Sequence, residues 1–142
     1  MSAKYFIDKN IFVYAFDTGN PEKQEKADEL IENALQSNAG CISFQVVQEF
    51  INVSTRKFAV PLSIRDCEKY IKSILSTLCE IFVSIELYSQ ALDVMDRWKF
   101  SFYDSLIVAA ALQADCSILY SEDLQHEQKI GHLTITNPFR KS

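Results

Sequence analysis

The run from Phe100 to Ala114 restricts the fold more than any other part of the chain, because it is apolar on every side of a helix and contains one charged residue, Asp104. A helix that is apolar all round is normally buried. A lone buried carboxylate is costly unless a positive group or a hydrogen-bond donor meets it. The run therefore predicts a central helix with one carboxylate whose charge something else must compensate.

Short β-type segments alternate with longer helical segments along the chain. The predicted strands are 5–7, 40–43, 81–85, 117–120 and a last, edge-type strand at 133–136; the predicted helices are 21–36, 44–57, 63–78, 86–98 and the helix that carries Asp104. This alternation is typical of βα units that build a mainly parallel sheet covered by helices. No linker or repeat divides the chain, so residues 1–142 are predicted to form a single α/β domain.

Composition excludes several other classes of protein. A span of ~18 consecutive apolar residues is absent and the first residues do not resemble a secretion signal, so we expect a cytoplasmic protein without a membrane segment. The four cysteines lie far apart and are predicted to be reduced, mostly core residues. The net charge of −5 argues against electrostatic coating of nucleic acid, although cations bound to carboxylates would offset part of it.

Three further acidic residues, Asp8, Glu49 and Asp123, also lie in apolar surroundings, and the chain has no comparable set of buried cations. In parallel sheets, ligands bind at the carboxyl ends of the strands. Asp8 follows the first strand, Asp123 follows the fourth, and Glu49 lies in the helix after the second. The helix of Asp104 leads into a strand, so its first turn lies at the same edge. The topology therefore predicts that all four carboxylates converge.

Clustered carboxylates repel one another and would take up protons unless a cation joins them. Ligand sets made only of Asp and Glu oxygens suit Mg²⁺ or Mn²⁺. Such an ion with open water positions can activate water and stabilise charge during phosphate chemistry. The four acids therefore predict a divalent metal site acting on phosphate esters.

Each carboxylate also has a purely structural interpretation as a helix cap, an intrahelical partner or a loop residue. The partners in these interpretations are Asn10 for Asp8, Asn52 and Arg56 for Glu49, and Ser101 for Asp104, with Asp123 as an ordinary loop or cap residue. No single residue decides between the two readings. The joint placement of the four acids favours a site.

Four ordered segments resemble the PIN-domain family of metal-dependent nucleases, in particular the VapC-type ribonuclease toxins of bacterial toxin–antitoxin pairs. The segments are Phe-Ile-Asp-Lys-Asn at 6–10, Ser-Phe-Gln-Val-Val-Gln-Glu-Phe at 43–50, Tyr-Asp-Ser-Leu-Ile-Val-Ala-Ala-Ala at 103–111, and Leu-Tyr-Ser-Glu-Asp-Leu at 119–124. The closing segment 133–139 is also similar to the family's usual ending. Each segment is weak alone, but the ordered set is specific and covers nearly the whole chain.

The resemblance implies a Rossmann-like three-layer α/β/α sandwich and an endoribonuclease site that uses Mg²⁺ or Mn²⁺. Asp8, Glu49, Asp104 and Asp123 take the positions of the family's acidic ligands. The positions of Asn10 and Ser121 imply polar contacts to those ligands or to metal-bound water. One departure is Glu127, where related chains often have glycine, and we expect it to alter the loop beside Asp123 or to add negative charge there.

The expected function is cleavage of RNA, with exposed basic residues such as Lys9, Arg56 and Lys99 contacting phosphates. The resemblance further implies a cognate antitoxin and a homodimer. Two alternatives stay open: a non-catalytic PIN-like module that binds RNA or protein, and a phosphatase that forms an aspartyl-phosphate on Asp8. The latter chemistry usually has a second Asp two residues later, where this chain has Asn10.

Overall fold

The computed structural model describes residues 3–140, which contain one six-stranded sheet. The strands are β1 Tyr5–Ile7, β2 Gly40–Ser43, β3 Cys79–Ile81, β4 Ile118–Tyr120, β5 Lys129–Ile130 and β6 Leu133–Thr136. They lie in the order β3-β2-β1-β4-β6-β5, and every neighbouring pair is parallel except β5 and β6. The mainly parallel sheet predicted from the alternating pattern is confirmed.

The helices form two groups that cover the sheet. They are α1 Lys9–Tyr14, α2 Pro21–Ser37, α3 Phe44–Arg56, α4 Ile64–Tyr70, α5 Ser76–Leu78, α6 Ile85–Trp98 and α7 Phe102–Gln113, with a π-helical turn at Ile71–Leu75 between α4 and α5. Helices α6 and α7 pack on each other, and α7 contacts β2 and β4. Helix α3 contacts α1 and α4, and α2 contacts α1 and α5. This is the expected three-layer α/β/α sandwich. Within residues 3–140, no helix has the length and apolar character needed to cross a bilayer.

The strand predicted at 81–85 was placed too far along the chain. The structure has β3 at Cys79–Ile81, and Phe82 and Val83 are exposed. Ser84 begins the next helix, since its Oγ accepts a hydrogen bond from the Leu87 N–H (3.1 Å). The apolar side chains of 82 and 83 favoured a strand, but the helix cap ends the extended segment before it can pair further.

The prediction that the strand at 133–136 lies at an edge was also wrong. Strand β6 lies between β4 and β5, and β5 is the edge. The β5–β6 hairpin turns at Gly131, whose φ of 61° is readily accessible to glycine. Strand β5 was not predicted, because two residues are too few to show an alternating pattern.

Helix α7 is central, as its uniformly apolar sequence predicts. Residues 105–111 are all buried, and the Oγ of Ser101 accepts a hydrogen bond from the Asp104 N–H (3.2 Å) at the first turn. The three residues of β1 are buried as well. The four cysteines are free, with Cys79 half-buried and the other three in the core. The core therefore lies on both sides of β1, and the polar first turn of α7 is at its border.

The winding of the chain reverses between β1 and β4. From β1 the chain moves to β2 and β3 on one side, and it returns to β4 on the other. The strand ends are joined by hydrogen bonds from the Asp8 N–H to the Tyr120 carbonyl (3.0 Å) and from the Ser121 N–H to the Thr136 carbonyl (3.1 Å). In sheets of this kind, ligands bind at such a switch point, in the crevice outside the carboxyl ends of the strands. Asp8 and Ser121 lie at this crevice.

Candidate metal centre

Asp8 occupies the end of β1 and is only 6% exposed. Its Oδ1 accepts a hydrogen bond from the Lys9 N–H (2.7 Å), which caps α1, and its Oδ2 accepts one from the Ser121 hydroxyl (2.9 Å). Burial raises the pKa of Asp8 from 3.8 to about 6, with further increases from Glu49 and Asp123, while the two hydrogen bonds act in the opposite direction. The protein therefore compensates this carboxylate only in part.

Glu49 forms an ion pair with Lys9, with 3.0 Å between Oε2 and Nζ. The alternative in which Glu49 pairs with Asn52 or Arg56 on its own helix is not what the structure contains. Partial burial disfavours the charge of Lys9, but Glu49, Asp8 and Asp123 together raise its pKa above the usual value. Lys9 is therefore a charged cation set among three of the predicted acidic ligands.

Asp104 lies in the first turn of α7. That turn is tied to the start of α3, because the Gln45 Nε2 donates a hydrogen bond to the Tyr103 carbonyl (3.1 Å). Helix α3 follows β2 directly, so the first turns of both helices lie at the carboxyl edge of the sheet. Within residues 3–140, the Asp104 carboxylate forms no hydrogen bond or ion pair, so only half of the predicted capping box with Ser101 is present.

Asp123 lies in the exposed loop after β4, and its N–H donates to the Ser121 Oγ (3.3 Å). Its charge contributes to the raised pKa of Asp8. Among residues 3–140, however, no three Asp, Glu, His or Cys side chains are arranged so that they could hold an ion together. Repulsion between carboxylates acts against such an arrangement, and Glu49 is engaged by Lys9. The fold thus brings the acids to one edge, with Asp8, Glu49 and Asp123 in electrostatic reach.

Several buried polar atoms beside these acids have no partner within residues 3–140. Both side-chain polar atoms of Asn10, which is 8% exposed, are unpaired, and so are the Ser43 Oγ, the Gln45 Oε1 and the Ser105 Oγ. Buried polar atoms are normally hydrogen-bonded. Oxygen acceptors with spare capacity suit the waters around a hard cation, and the carboxylates suit its inner ligands. By their chemistry these side chains suit Mg²⁺ or Mn²⁺, although among residues 3–140 they are not arranged around a common point.

The three basic residues predicted to contact phosphate differ in position. Lys9 is at the acids but is engaged by Glu49. Lys99 is exposed at the end of α6, just before the cap of α7, and its Nζ is 3.9 Å from Asp96. Arg56 ends α3, about 10 Å along the helix axis from Glu49. Lys9 and Lys99 are thus near the carboxyl edge, and Arg56 is not.

The loop that carries Ser121 and Asp123 is held by contacts that the sequence did not predict. Glu122 Oε2 pairs with Lys23 Nζ (2.6 Å), and the Tyr14 hydroxyl donates to Glu122 Oε1 (2.6 Å). These contacts attach the loop to α1 and α2. Because these residues lie about 100 positions apart, no local sequence pattern could have predicted that they contact one another. Gln45, also not predicted, at least lies inside the segment 43–50 that carries the resemblance.

Glu127, the departure noted from the sequence, lies in the same connection between β4 and β5. Its φ is 68°, which is the left-handed region that favours glycine. The loop therefore keeps the backbone conformation expected of a glycine, and the side chain, 81% exposed, adds the negative charge. Position 127 therefore carries a carboxylate where related chains, with glycine, have no side chain.

Fold and site together define an α/β/α protein with acidic residues at the carboxyl edge of its sheet. We call the place of Asp8, Glu49, Asp104 and Asp123 at this edge the acidic crevice. The PIN domain profile matches residues 5–130. The chain therefore belongs to the PIN-domain family, a family of nucleases whose members generally use divalent metals. A search of curated protein sequences found no match.

Solved structures similar to this chain come from toxin–antitoxin systems. A toxin–antitoxin complex from Klebsiella pneumoniae has a TM-score of 0.66 at 18% identity, covering 95% of this chain and 98% of that one. The Mycobacterium tuberculosis toxin VapC20, which cleaves the sarcin–ricin loop, has a TM-score of 0.64 at 19% identity, covering 84% and 90%. FitAcB from Neisseria gonorrhoeae has a TM-score of 0.64 at 17% identity, covering 96% and 99%. At these identities the similarity establishes a shared fold.

Proposed function

We propose that this PIN-domain protein is an endoribonuclease that uses Mg²⁺ or Mn²⁺ and acts as the toxin of a toxin–antitoxin pair. The observation that carries the proposal is Asp8: a buried carboxylate at the switch point, with raised pKa, whose charge the protein compensates only in part. A structural cap has no need of such burial. A carboxylate that binds a cation gains from burial, because burial strengthens the attraction between the two charges.

Asp8, Glu49, Asp104 and Asp123 would hold one or two divalent ions. When bound, such an ion supplies an activated water and stabilises charge on the phosphate. The Ser121 hydroxyl fixes the orientation of the Asp8 carboxylate. The unpaired oxygens of Asn10, Ser43 and Gln45 would accept hydrogen bonds from water and so orient it toward the scissile phosphate.

Lys9 would change partner during this process. In the structure it pairs with Glu49. If Glu49 held a cation, Lys9 would lose its counter-charge and would be available to a phosphate oxygen of the RNA. Lys99, exposed beside the first turn of α7, would contact a neighbouring phosphate, and Arg56 would contact one farther along the strand.

RNA cleavage by purified wild type and Asp104→Asn, each with Mg²⁺, Mn²⁺ or EDTA, tests the proposal. The matched control is Asp93→Asn, an exposed position of α6. We expect metal-dependent cleavage by the wild type and the control, and none by Asp104→Asn, whose circular dichroism spectrum should match the wild type. Cleavage by Asp104→Asn at equal metal would refute the assignment of the site.

A non-catalytic module that binds RNA or protein is the second candidate. Two observations favour it. No three of the described acids are arranged so that they could hold an ion together, and Lys9 neutralises Glu49. Calorimetric titration with Mn²⁺ separates the candidates, because the nuclease must bind the ion in its acidic crevice. A wild-type protein that binds no divalent ion would favour the module.

The partners are also proposals. The toxin–antitoxin neighbours support a cognate antitoxin and, with it, a cytoplasmic location. Expression of the chain alone should arrest growth, and co-expression of a small protein encoded beside its gene should restore it. No rescue by any neighbouring frame would count against the toxin role.

A homodimer is supported by exposed apolar side chains on α6 and the loop before it. They are Phe82, Val83, Ile85, Leu92 and Met95. All five fall within residues 82–95, and exposed apolar patches often mark a protein interface. Light scattering should show a dimer for the wild type and a monomer for Leu92→Lys, whereas Lys69→Glu, on exposed α4, should stay dimeric.

A further inference from the structure

A cavity of about 440 Å³ opens beside the acidic crevice, at the carboxyl ends of β4 and β6. We call it the C-terminal pocket, and its walls include Lys26, Tyr120, His126, Glu127, Pro138 and Arg140. Tyr120 is followed directly by Ser121, which donates to Asp8. The pocket and the crevice therefore share the carboxyl end of β4, with Tyr120 and Ser121 on alternate faces of the strand. A single strand of RNA that crosses this edge of the sheet would meet both.

Two cations of the pocket can meet an anion, because one is unpaired and the other is only weakly paired. The guanidinium of Arg140 makes no ion pair or hydrogen bond within residues 3–140. Lys26 has only Glu29, at 4.0 Å on the exposed face of α2, and such surface pairs are weak. Both cations line the same cavity, and in a chain with net charge −5 they provide a local site for a phosphate.

His126 adds a directional donor. Its Nδ1 accepts a hydrogen bond from the Asn137 N–H (2.9 Å), so the neutral ring carries its proton on Nε2. The Nε2 is 3.6 Å from Glu127 Oε1, which is too long for a good hydrogen bond. This N–H is therefore left to bond a ligand oxygen.

The remaining walls suit a nucleoside rather than a bare phosphate. The half-buried ring of Tyr120 is held edge-on by Tyr5 (centroids 5.3 Å apart), and Pro138 adds a second apolar surface. Aromatic side chains of this kind bind unpaired bases by stacking. The Glu127 carboxylate repels a free anion but accepts hydrogen bonds from a ribose hydroxyl or a base amino group. The ligand must combine an anion, a donor and a flat ring.

We propose that the C-terminal pocket binds one nucleotide of a single-stranded RNA, next to the bond that the acidic crevice would cut. Lys26 and Arg140 meet its phosphate, His126 donates to an oxygen, and Tyr120 stacks with the base. The volume is within the range of roughly 300–1,000 Å³ typical of ligand sites. The proposal rests on the proposed nuclease function for its choice of RNA, although the pocket itself is argued from its own residues.

The test is fluorescence anisotropy with a 5′-labelled single-stranded oligoribonucleotide in EDTA, where metal-dependent cleavage does not interfere. The double variant Lys26→Gln/Arg140→Gln is compared with Arg65→Gln/Lys69→Gln, which removes the same charge from exposed α4. We expect the first to weaken binding at least tenfold and to reduce the slope of log K against log salt by about 1.4. The control should match the wild type within twofold.

Tyr120→Leu separates stacking from charge. It should weaken binding by about 5- to 100-fold, the effect of losing one stacked base, and leave the salt slope unchanged. Circular dichroism confirms that each variant is folded. Equal binding by wild type and by both pocket variants would overturn the proposal.

Competition by other ligands identifies the source of the anion. A nucleoside monophosphate should displace the oligonucleotide at lower concentration than inorganic phosphate. A mononucleotide that binds as tightly as the RNA would overturn the choice of RNA, and tighter binding of an acidic peptide through the same cations would overturn it in favour of a protein partner.

The pocket and the nuclease are tested separately, because binding is measured without metal. Pocket-dependent binding without any cleavage in Mg²⁺ refutes the nuclease alone. Cleavage without pocket-dependent binding refutes the pocket alone.

Discussion

Replacing Asp8 with asparagine should stabilise the metal-free protein at neutral pH. The folded-state pKa of Asp8 is about 6, against 3.8 for an ordinary aspartate. At about 1.4 kcal/mol per pKa unit, the charged form costs the folded protein about 3 kcal/mol. The cause is burial first and the neighbouring charges of Glu49 and Asp123 second.

The sign of the pH dependence follows from the direction of this shift. Because the folded protein holds this proton more tightly than the unfolded chain, the stabilisation is complete below pH 4 and is lost as pH rises through 6. Asparagine removes the charge but weakens the hydrogen bonds from the Lys9 N–H and the Ser121 hydroxyl, each worth about 1 kcal/mol. The net gain at pH 7.5 should be about 1–2 kcal/mol, or a rise in Tm of about 3–8 °C.

The assay is urea unfolding of wild type and Asp8→Asn in EDTA from pH 4.5 to 8, with Asp93→Asn as the exposed control. The difference in unfolding free energy should favour the asparagine variant at pH 7.5 and shrink or reverse at pH 4.5. Under the proposed function, a divalent ion at 100 times its Kd should then stabilise only the wild type, by about 2.7 kcal/mol. A difference between wild type and Asp8→Asn that does not vary with pH would refute the reasoning about burial.

Four further predictions concern other positions. Lys9→Gln should tighten Mn²⁺ binding in calorimetry, because the ion no longer competes with a lysine for Glu49. Gly40→Ala should lower the unfolding free energy by about 2–3 kcal/mol, since its Cβ would lie 2.4 Å from a Cβ of α2. Gly131→Ala, with nothing within 4 Å of the new Cβ, should cost only the positive φ, about 1 kcal/mol. Glu127→Gly should raise the unfolding free energy by up to about 1 kcal/mol, because its φ of 68° suits glycine.

Each of these has an outcome that contradicts it. Weaker or unchanged Mn²⁺ affinity in the Lys9 variant would show that the lysine does not compete with the ion. Equal losses of unfolding free energy in Gly40→Ala and Gly131→Ala would mean that contact between the new Cβ and α2 does not destabilise the protein. A destabilised Glu127→Gly protein would show that the side chain, despite its exposure, stabilises the loop more than the left-handed backbone costs.

The chain's local patterns determined most of the elements and their order, with β5 and the place of β3 as exceptions. The uniform apolarity of α7 predicted its burial, and the spacing of Ser101 and Asp104 indicated a cap, of which the structure has the Ser101 half. The alternation of strands and helices predicted a mainly parallel sheet, and the acids at strand ends predicted one edge for Asp8 and Asp123. These features can be predicted from the sequence because apolar periodicity and capping depend on residues within a turn or two of one another.

Only the tertiary structure decided which side chains meet. Lys9 pairs with Glu49 across 40 positions and Lys23 with Glu122 across 99, and neither pair leaves a mark in the local pattern. The place of β6 inside the sheet depends on pairing with the two-residue β5, which propensity does not detect. The burial that raises the pKa of Asp8 also comes from the packed fold rather than from its neighbours in sequence. Hydrogen bonds and close ion pairs form only over a few ångströms, and remote residues come within that distance only once the layers have packed.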